Sequence, residues 1–201
     1  MLVLAITPGE GFQPSRWQRL LDAGLDGFMI REPALEARDL LEAVRFVQRR
    51  APGMDLWVNG RLDVALAGRC GLHTPEAHPP VPPGLVPRSC PVHDPAQLPA
   101  RCRCRQVILS PIFPVPGKGP AWGPGRLGAV LDALDPAPVR ILALGGITPE
   151  NAASLRHPRL DGVALIRGLW GAGDPALAVA RLRAAWESHP SPPLPEESRC
   201  A

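Results

Sequence analysis

One stretch, Arg140 to Trp170, constrains the fold more than any other. It reads RILALGGITPENAASL, a short spacer, then LDGVALIRGLW. Arg140 to Leu144 is an apolar run of strand length, as expected for a strand buried on both faces. Gly145 and Gly146 let the chain turn tightly and approach a ligand without Cβ interference. Thr148 and Pro149 then read as N-cap and first helical residue, with Glu150 in the first turn. A second buried strand, Gly162 to Ile166, delivers Arg167 and Gly168 to the same end of the sheet. Two parallel strands ending in glycine-bearing turns gather free backbone amides, and amides at a helix start favour an anion such as phosphate. In (β/α)8 barrels a phosphate site commonly follows strands seven and eight. Six more strands are then expected upstream.

They are found in order. Strand one is Leu2 to Thr7, and a helix runs from an N-cap at Ser15 to a stop at Gly24. Strand two, DGFMIREP, puts Met29, Arg31 and Pro33 on one face. Leu35 to Arg50 carries an apolar stripe of helical period and ends at Pro52 and Gly53. Strand three is Asp55 to Asn59, a short helix spans Leu62 to Ala67, and strand four is Gly71 to His73. The segment AHPPVPPGLVP is too rich in proline for a regular element. Strand five is centred on Leu85 to Ser89, and Asp94 caps a short helix. Strand six is Gln106 to Leu109, and it opens into the long loop SPIFPVPGKGPAWGPG. A helix over Arg126 to Leu134 precedes strand seven, and another from about Pro175 to Ser188 follows strand eight. Eight strands alternating with helices predict a compact, single-domain (β/α)8 TIM barrel over 1–188, with residues 189–201 a disordered tail. An open doubly wound sheet is the runner-up, and the clustering of glycine turns after the last two strands favours the barrel.

At 201 residues and 45% hydrophobic content the chain can bury a sizeable core. A net charge of +3 gives no reason to expect nucleic acid as a partner. No stretch is long and apolar enough to span a membrane. The start, MLVLAIT, lacks a basic region and a cleavage site and reads as a strand, so a cytoplasmic location is expected. Five cysteines without framework spacing suit a reducing compartment. Cys102 and Cys104 have no matching pair for a metal site, and no metal is expected.

Lys118 is the sole lysine against many arginines. Positions free to become arginine have done so, which marks Lys118 as a place needing a compact ammonium, as for a phosphate. His73, at the C-terminal end of strand four, stands where a barrel carries catalytic groups. His93 is a second candidate acid/base, with Glu76 and His78 behind it. His157 and His189 read as solvent-exposed, and Trp122 as packing for the strand-six loop.

The segments MIREP, VNGRLDVALAGRCGLHTPE, LSPIFPVPGKG, ALGGITPEN and DGVALIRG occur in the order and spacing of the thiamine phosphate synthase/TenI family, which the chain resembles from strand one to strand eight. The resemblance implies a barrel that joins a thiazole phosphate to a pyrimidine diphosphate or, in the TenI branch, aromatises a carboxythiazole phosphate by moving a proton. It also implies a homodimer. Carried over residue by residue, the synthase's strand-two Gln-x-Arg-x-Lys becomes Met29, Arg31 and Pro33. Its Asn-Asp after strand three becomes Asn59 and Gly60, and its His-x-Gly-Gln-x-Asp keeps His73 but has Glu76 and His78. The strand-five serine becomes Pro91, followed by His93. The Thr-x-Thr of the strand-six loop becomes Val115 and Gly117, while Lys118 is kept. Gly145 and Gly146 match the phosphate turn, and Ile166 and Arg167 replace Val-Ser.

The thiazole-phosphate end is therefore kept, whereas the diphosphate end lacks both magnesium aspartates and a lysine. On that contrast the expected activity is a TenI-like thiazole tautomerase, an isomerase without cofactor. The alternatives are thiamine phosphate synthase, with magnesium required in that case only, and a non-catalytic phosphate-binding regulator. The expected site comprises His73, His93 and Arg31 for catalysis, the arginine facing a substrate carboxylate or else Glu76. Asn59, Lys118, Gly145, Gly146, Ile166 and Arg167 are expected to bind the thiazole phosphate. The histidine of the TenI branch falls at Pro111.

Overall fold

The computed structural model describes residues 1–134 and 139–188. The expected tail, 189–201, with His189, lies outside the described residues. Eight parallel strands close into a barrel in sequence order. They are β1 (Leu2–Ile6), β2 (Gly27–Ile30), β3 (Asp55–Asn59), β4 (Gly71–His73), β5 (Arg88–Val92), β6 (Gln106–Leu109), β7 (Arg140–Leu144) and β8 (Gly162–Leu165). The first four helices are α1 (Pro14–Leu21), α2 (Ala37–Arg50), α3 (Leu62–Gly68) and α4 (Leu98–Arg101). Beyond β6 come α5 (Gly123–Asp132), α6 (Pro149–Ala152), α7 (Arg167–Trp170) and α8 (Pro175–Glu187). No helix among the described residues is long and apolar enough to cross a membrane.

Alternation along each strand divides the apolar side chains into two sets. Leu4, Ile6, Met29, Trp57, Ile108, Leu142 and Ala164 fill the barrel interior. The other faces, with Val3, Phe28, Val58, Leu72, Val107 and Val163 among them, pack against the surrounding helices. Inside the barrel, Trp57 occupies the space a side chain at Gly71 would need: a Cβ there would lie 2.3 Å from the indole ring. An Arg140–Asp55 ion pair joins β7 to β3 at the N-terminal end.

Helices α1 and α2 start within two residues of expectation, whereas two elements start three residues away from it. Strand five lies at Arg88–Val92, three residues beyond the expected Leu85, which is instead an exposed turn residue. Pro87 and Pro91 flank and interrupt the apolar signal, but Pro87 still accepts a hydrogen bond from Leu72 through its carbonyl. Helix α5 begins at Gly123 rather than Arg126, because Pro124 fits the first helical turn.

The cysteine expectation also changes. Cys90 on β5 and Cys104, just ahead of β6, are joined as a disulfide with Cα atoms 6.7 Å apart. The pairing of β5 with β6 brings the two together, which residue spacing alone does not reveal. His157, expected in solvent, is largely buried and bonds Asp132 at 3.0 Å.

Candidate functional site

The C-terminal ends of the strands form a mouth whose two halves differ in kind. On the β6–β7–β8 side the framework is backbone. The loop after β6 folds against the turn after β7: Ile112 N–H donates to Leu144 O and Phe113 N–H to Gly145 O, both at 2.9 Å. Gly145 (φ +109°) and Gly146 (φ +64°) both adopt a backbone favouring glycine. A Cβ at Gly146 would lie 2.7 Å from Phe113 Cβ, so the turn also needs glycine for contact with the loop.

The turn leads into α6. Thr148 is its N-cap, and Asn151 accepts from the Thr148 N–H at 2.9 Å while donating to Gly146 O at 2.9 Å. At the neighbouring strand end Ile166 precedes α7, so the amides of Arg167 and Gly168 open that helix. Trp170 anchors α7 by donating from Nε1 to Ile6 O at 2.7 Å. Lys118 stands on the β6 loop in a turn closed by its own N–H to Val115 O. The Gly145–Gly146 turn and the start of α7 at Ile166 and Arg167 thus follow neighbouring strands, and the loop that carries Lys118 packs on the turn through Ile112 and Phe113.

On the β2–β5 side the framework is side chains. His73 ends β4, in register with Asn59 of β3 and Ser89 of β5. It is 9% exposed, and its Nδ1 lies 3.0 Å from Ser89 Oγ. Burial, reinforced by the positive field of Arg101 and by His93 and Arg31, lowers its pKa to about 4. His73 is therefore neutral at physiological pH and a poor proton acceptor. Asn59 makes no side-chain hydrogen bond among the described residues, so its amide is available to a ligand.

Arg31, at the end of β2, is exposed and forms no ion pair among the described residues. Glu76, the alternative partner expected for Arg31, instead accepts from Gln97 Nε2 at 2.7 Å. His93 is a bracing residue for the loop. Its Nδ1 lies 2.9 Å from Ser110 O, its N–H donates to Gln97 Oε1 at 2.8 Å, and its carbonyl receives Trp122 Nε1 at 3.1 Å. Trp122, 5% exposed, packs the loop as expected.

Three residues of this framework escaped the sequence reading. Glu32 is 5% exposed, and its carboxylate accepts from Gly9 N at 3.2 Å and Gly11 N at 2.6 Å, fixing the loop after β1. Ser89 and Gln106 are fully buried, and Gln106 Nε2 donates to Ser89 Oγ at 3.2 Å.

Magnesium, which the resemblance ties to synthase activity, fits this set of residues poorly. The two positions of the family's aspartates hold Gly60, which has no side chain, and His78, whose Nδ1 lies 2.7 Å from Pro79 O. Among the described residues no three His, Cys, Asp or Glu side chains cluster to hold a metal. A cavity of about 260 Å³ opens at the opposite end of the barrel, near Asp55, Trp57, Arg69 and Arg105, away from the strand ends described above.

A model of the thiamine monophosphate synthase family matches residues 3–169. Thiamine-phosphate synthase of Methanoculleus marisnigri is 36% identical over 191 residues, 88% of this chain and 90% of that protein. The enzyme of the same name from Moorella thermoacetica is 32% identical over 174 residues, 81% and 83% of the two chains. In fold, the chain is similar to thiamine phosphate pyrophosphorylase of Pyrococcus furiosus, with a TM-score of 0.78 at 20% identity over 92% of this chain and 95% of that one. These relatives overturn the tautomerase expectation: similarity across most of the chain is to synthases, and the transferase alternative replaces the isomerase.

Proposed function

The chain belongs to the thiamine monophosphate synthase family, and from that premise we propose that it is a transferase joining a thiazole phosphate to a pyrimidine diphosphate in the barrel mouth. The observation that carries this reading is the division of the mouth. One edge offers amides and an ammonium, as a phosphate monoester requires. The other offers Asn59, His73 and the guanidinium of Arg31, which has no ion pair among the described residues, as a second, more elaborate substrate requires.

In this reading the thiazole phosphate sits against the Gly145–Gly146 turn and the first amides of α7, those of Arg167 and Gly168. Lys118 adds a point charge from the β6 loop. Arg31 faces the diphosphate, where a guanidinium can donate two parallel hydrogen bonds to phosphoryl oxygens. Asn59 and His73 orient the pyrimidine. His93 holds the loop that carries Lys118 and does not transfer a proton. Holding both substrates at neighbouring strand ends converts their encounter into a reaction within one complex, and the cations stabilise the departing diphosphate. Gly60 and His78 supply no hard oxygen ligand for magnesium, so the chain's own cations face the diphosphate charge. A homodimer and a cytoplasmic location go with the family reading.

Isothermal titration tests it. Thiazole phosphate and pyrimidine diphosphate should each bind the purified chain, the diphosphate more weakly in Arg31→Ala. Binding of neither substrate would remove the function.

A further inference from the structure

A directed chain of hydrogen bonds crosses the barrel interior and ends at the mouth. It begins with the Arg140–Asp55 ion pair at the N-terminal end. Arg140 Nη1 also reaches Gln106 Oε1 at 3.5 Å, and Gln106 Nε2 reaches Ser89 Oγ at 3.2 Å. Ser89 Oγ in turn lies 3.0 Å from His73 Nδ1. Strands β7, β6, β5 and β4 contribute one residue each, and register aligns them: Arg140 with Gln106, Gln106 with Ser89, Ser89 with His73.

The direction of each bond follows from donor chemistry. A guanidinium has donors only, so the side of Gln106 facing Arg140 must be its carbonyl oxygen. The amide –NH₂ of Gln106 then faces Ser89 and donates to it. Ser89 Oγ, already accepting, has one hydrogen left, and His73 Nδ1 is the acceptor within reach. A flipped Gln106 would set its buried –NH₂ against the partly buried guanidinium and leave two donors opposed. Nothing along this path requires a titratable group to change charge.

We propose that Gln106 and Ser89 are positioning residues that lock His73 in the tautomer with the proton on Nε2, making it a fixed hydrogen-bond donor to an acceptor atom of the substrate. His73 Nε2 has no partner among the described residues, yet it is not among the polar atoms sealed from solvent, so it is free to meet a ligand. The acceptor is a ring nitrogen or a phosphoryl oxygen, both present in a pyrimidine diphosphate. The substrate assignment rests on the transferase reading; the tautomer does not.

Nitrogen NMR of the full chain with 15N-labelled histidine tests both parts. At neutral pH the His73 imidazole should show a protonated Nε2 and a bare Nδ1. In Ser89→Ala and Gln106→Leu the signal should move toward a mixture of tautomers, with kcat/KM for the pyrimidine diphosphate falling about three- to ten-fold. A protonated Nδ1 in the wild-type protein, or a Ser89→Ala spectrum identical to wild type, would overturn the relay. The wild-type spectrum decides even where a variant fails to fold. The locked tautomer in a protein that turns over neither substrate would keep the relay and remove the transferase reading. Turnover with a protonated Nδ1 would do the opposite.

Discussion

Replacing Gly146 by alanine attacks the contact on which the phosphate edge depends. The backbone there has φ +64°, a region that costs an ordinary L-residue about 1–2 kcal/mol. The new Cβ would also lie 2.7 Å from Phe113 Cβ, 3.2 Å from Pro114 O and 3.3 Å from Phe113 C. Two of those atoms are backbone and the third is the root of a side chain, so relief requires the β6 loop to retreat. Overpacking of that kind costs about 1–3 kcal/mol. Taken together, Gly146→Ala should lose about 2–5 kcal/mol, or about 4–20 °C in Tm for a chain of this size. Gly128→Ala is the matched control. It lies in α5, nothing stands within 4 Å of its Cβ position, and it should stabilise by about 0.5–1 kcal/mol. Thermal unfolding followed by circular dichroism reads both. A Gly146→Ala protein as stable as wild type would refute the claim that loop and turn are packed as one unit.

Further predictions concern the residues around the mouth. Glu32→Ala leaves the Gly9 and Gly11 amides without their acceptor and should cost about 1–3 kcal/mol; unchanged hydrogen exchange at those two amides would contradict it. The depressed pKa of His73, about 4, makes stability depend on pH with a definite sign. Between about pH 6.5 and 4 the unfolded histidine takes up a proton and the native one does not, so stability falls as pH falls through that window. Denaturation at pH 7 and 4.5 should show wild type losing about 2–3 kcal/mol more than His73→Gln; equal losses would place His73 in ordinary solvent. Lys118→Ala should weaken thiazole phosphate binding about ten-fold, with Lys118→Arg restoring part of it. Titrations identical to wild type for both variants would take Lys118 out of the site.

Much of the barrel could be read directly from the chain. The bounds of Asp55–Asn59, Gly71–His73, Gln106–Leu109 and Arg140–Leu144 follow from apolar runs set between breakers. Arg88–Val92 did not, because proline both flanks and occupies the strand, and the tertiary ladder overrode the local signal. Lys118 stood out by composition, and the Gly145–Gly146 turn by its place between a buried strand and a helix cap. Ser89 and Gln106 were invisible for a physical reason: each becomes meaningful only once three strands are in register. The same holds for Cys90 and Cys104, which are 14 residues apart in sequence and meet across the β5–β6 ladder. Glu32 was overlooked beside Arg31, although a carboxylate two residues past a buried strand has few partners except the amides of a neighbouring loop. The branch of the family was misjudged by weighing the changed diphosphate residues above similarity over the whole chain.

The central claim is that this mouth joins two substrates. The most direct test is incubation of the purified chain with thiazole phosphate and pyrimidine diphosphate, with and without magnesium, followed by mass spectrometry for thiamine phosphate and a count of released pyrophosphate. The account predicts both products in equal amounts, dependent on both substrates and reduced in Arg31→Ala and Lys118→Ala. Absence of both products under either condition, with the barrel folded, would contradict it.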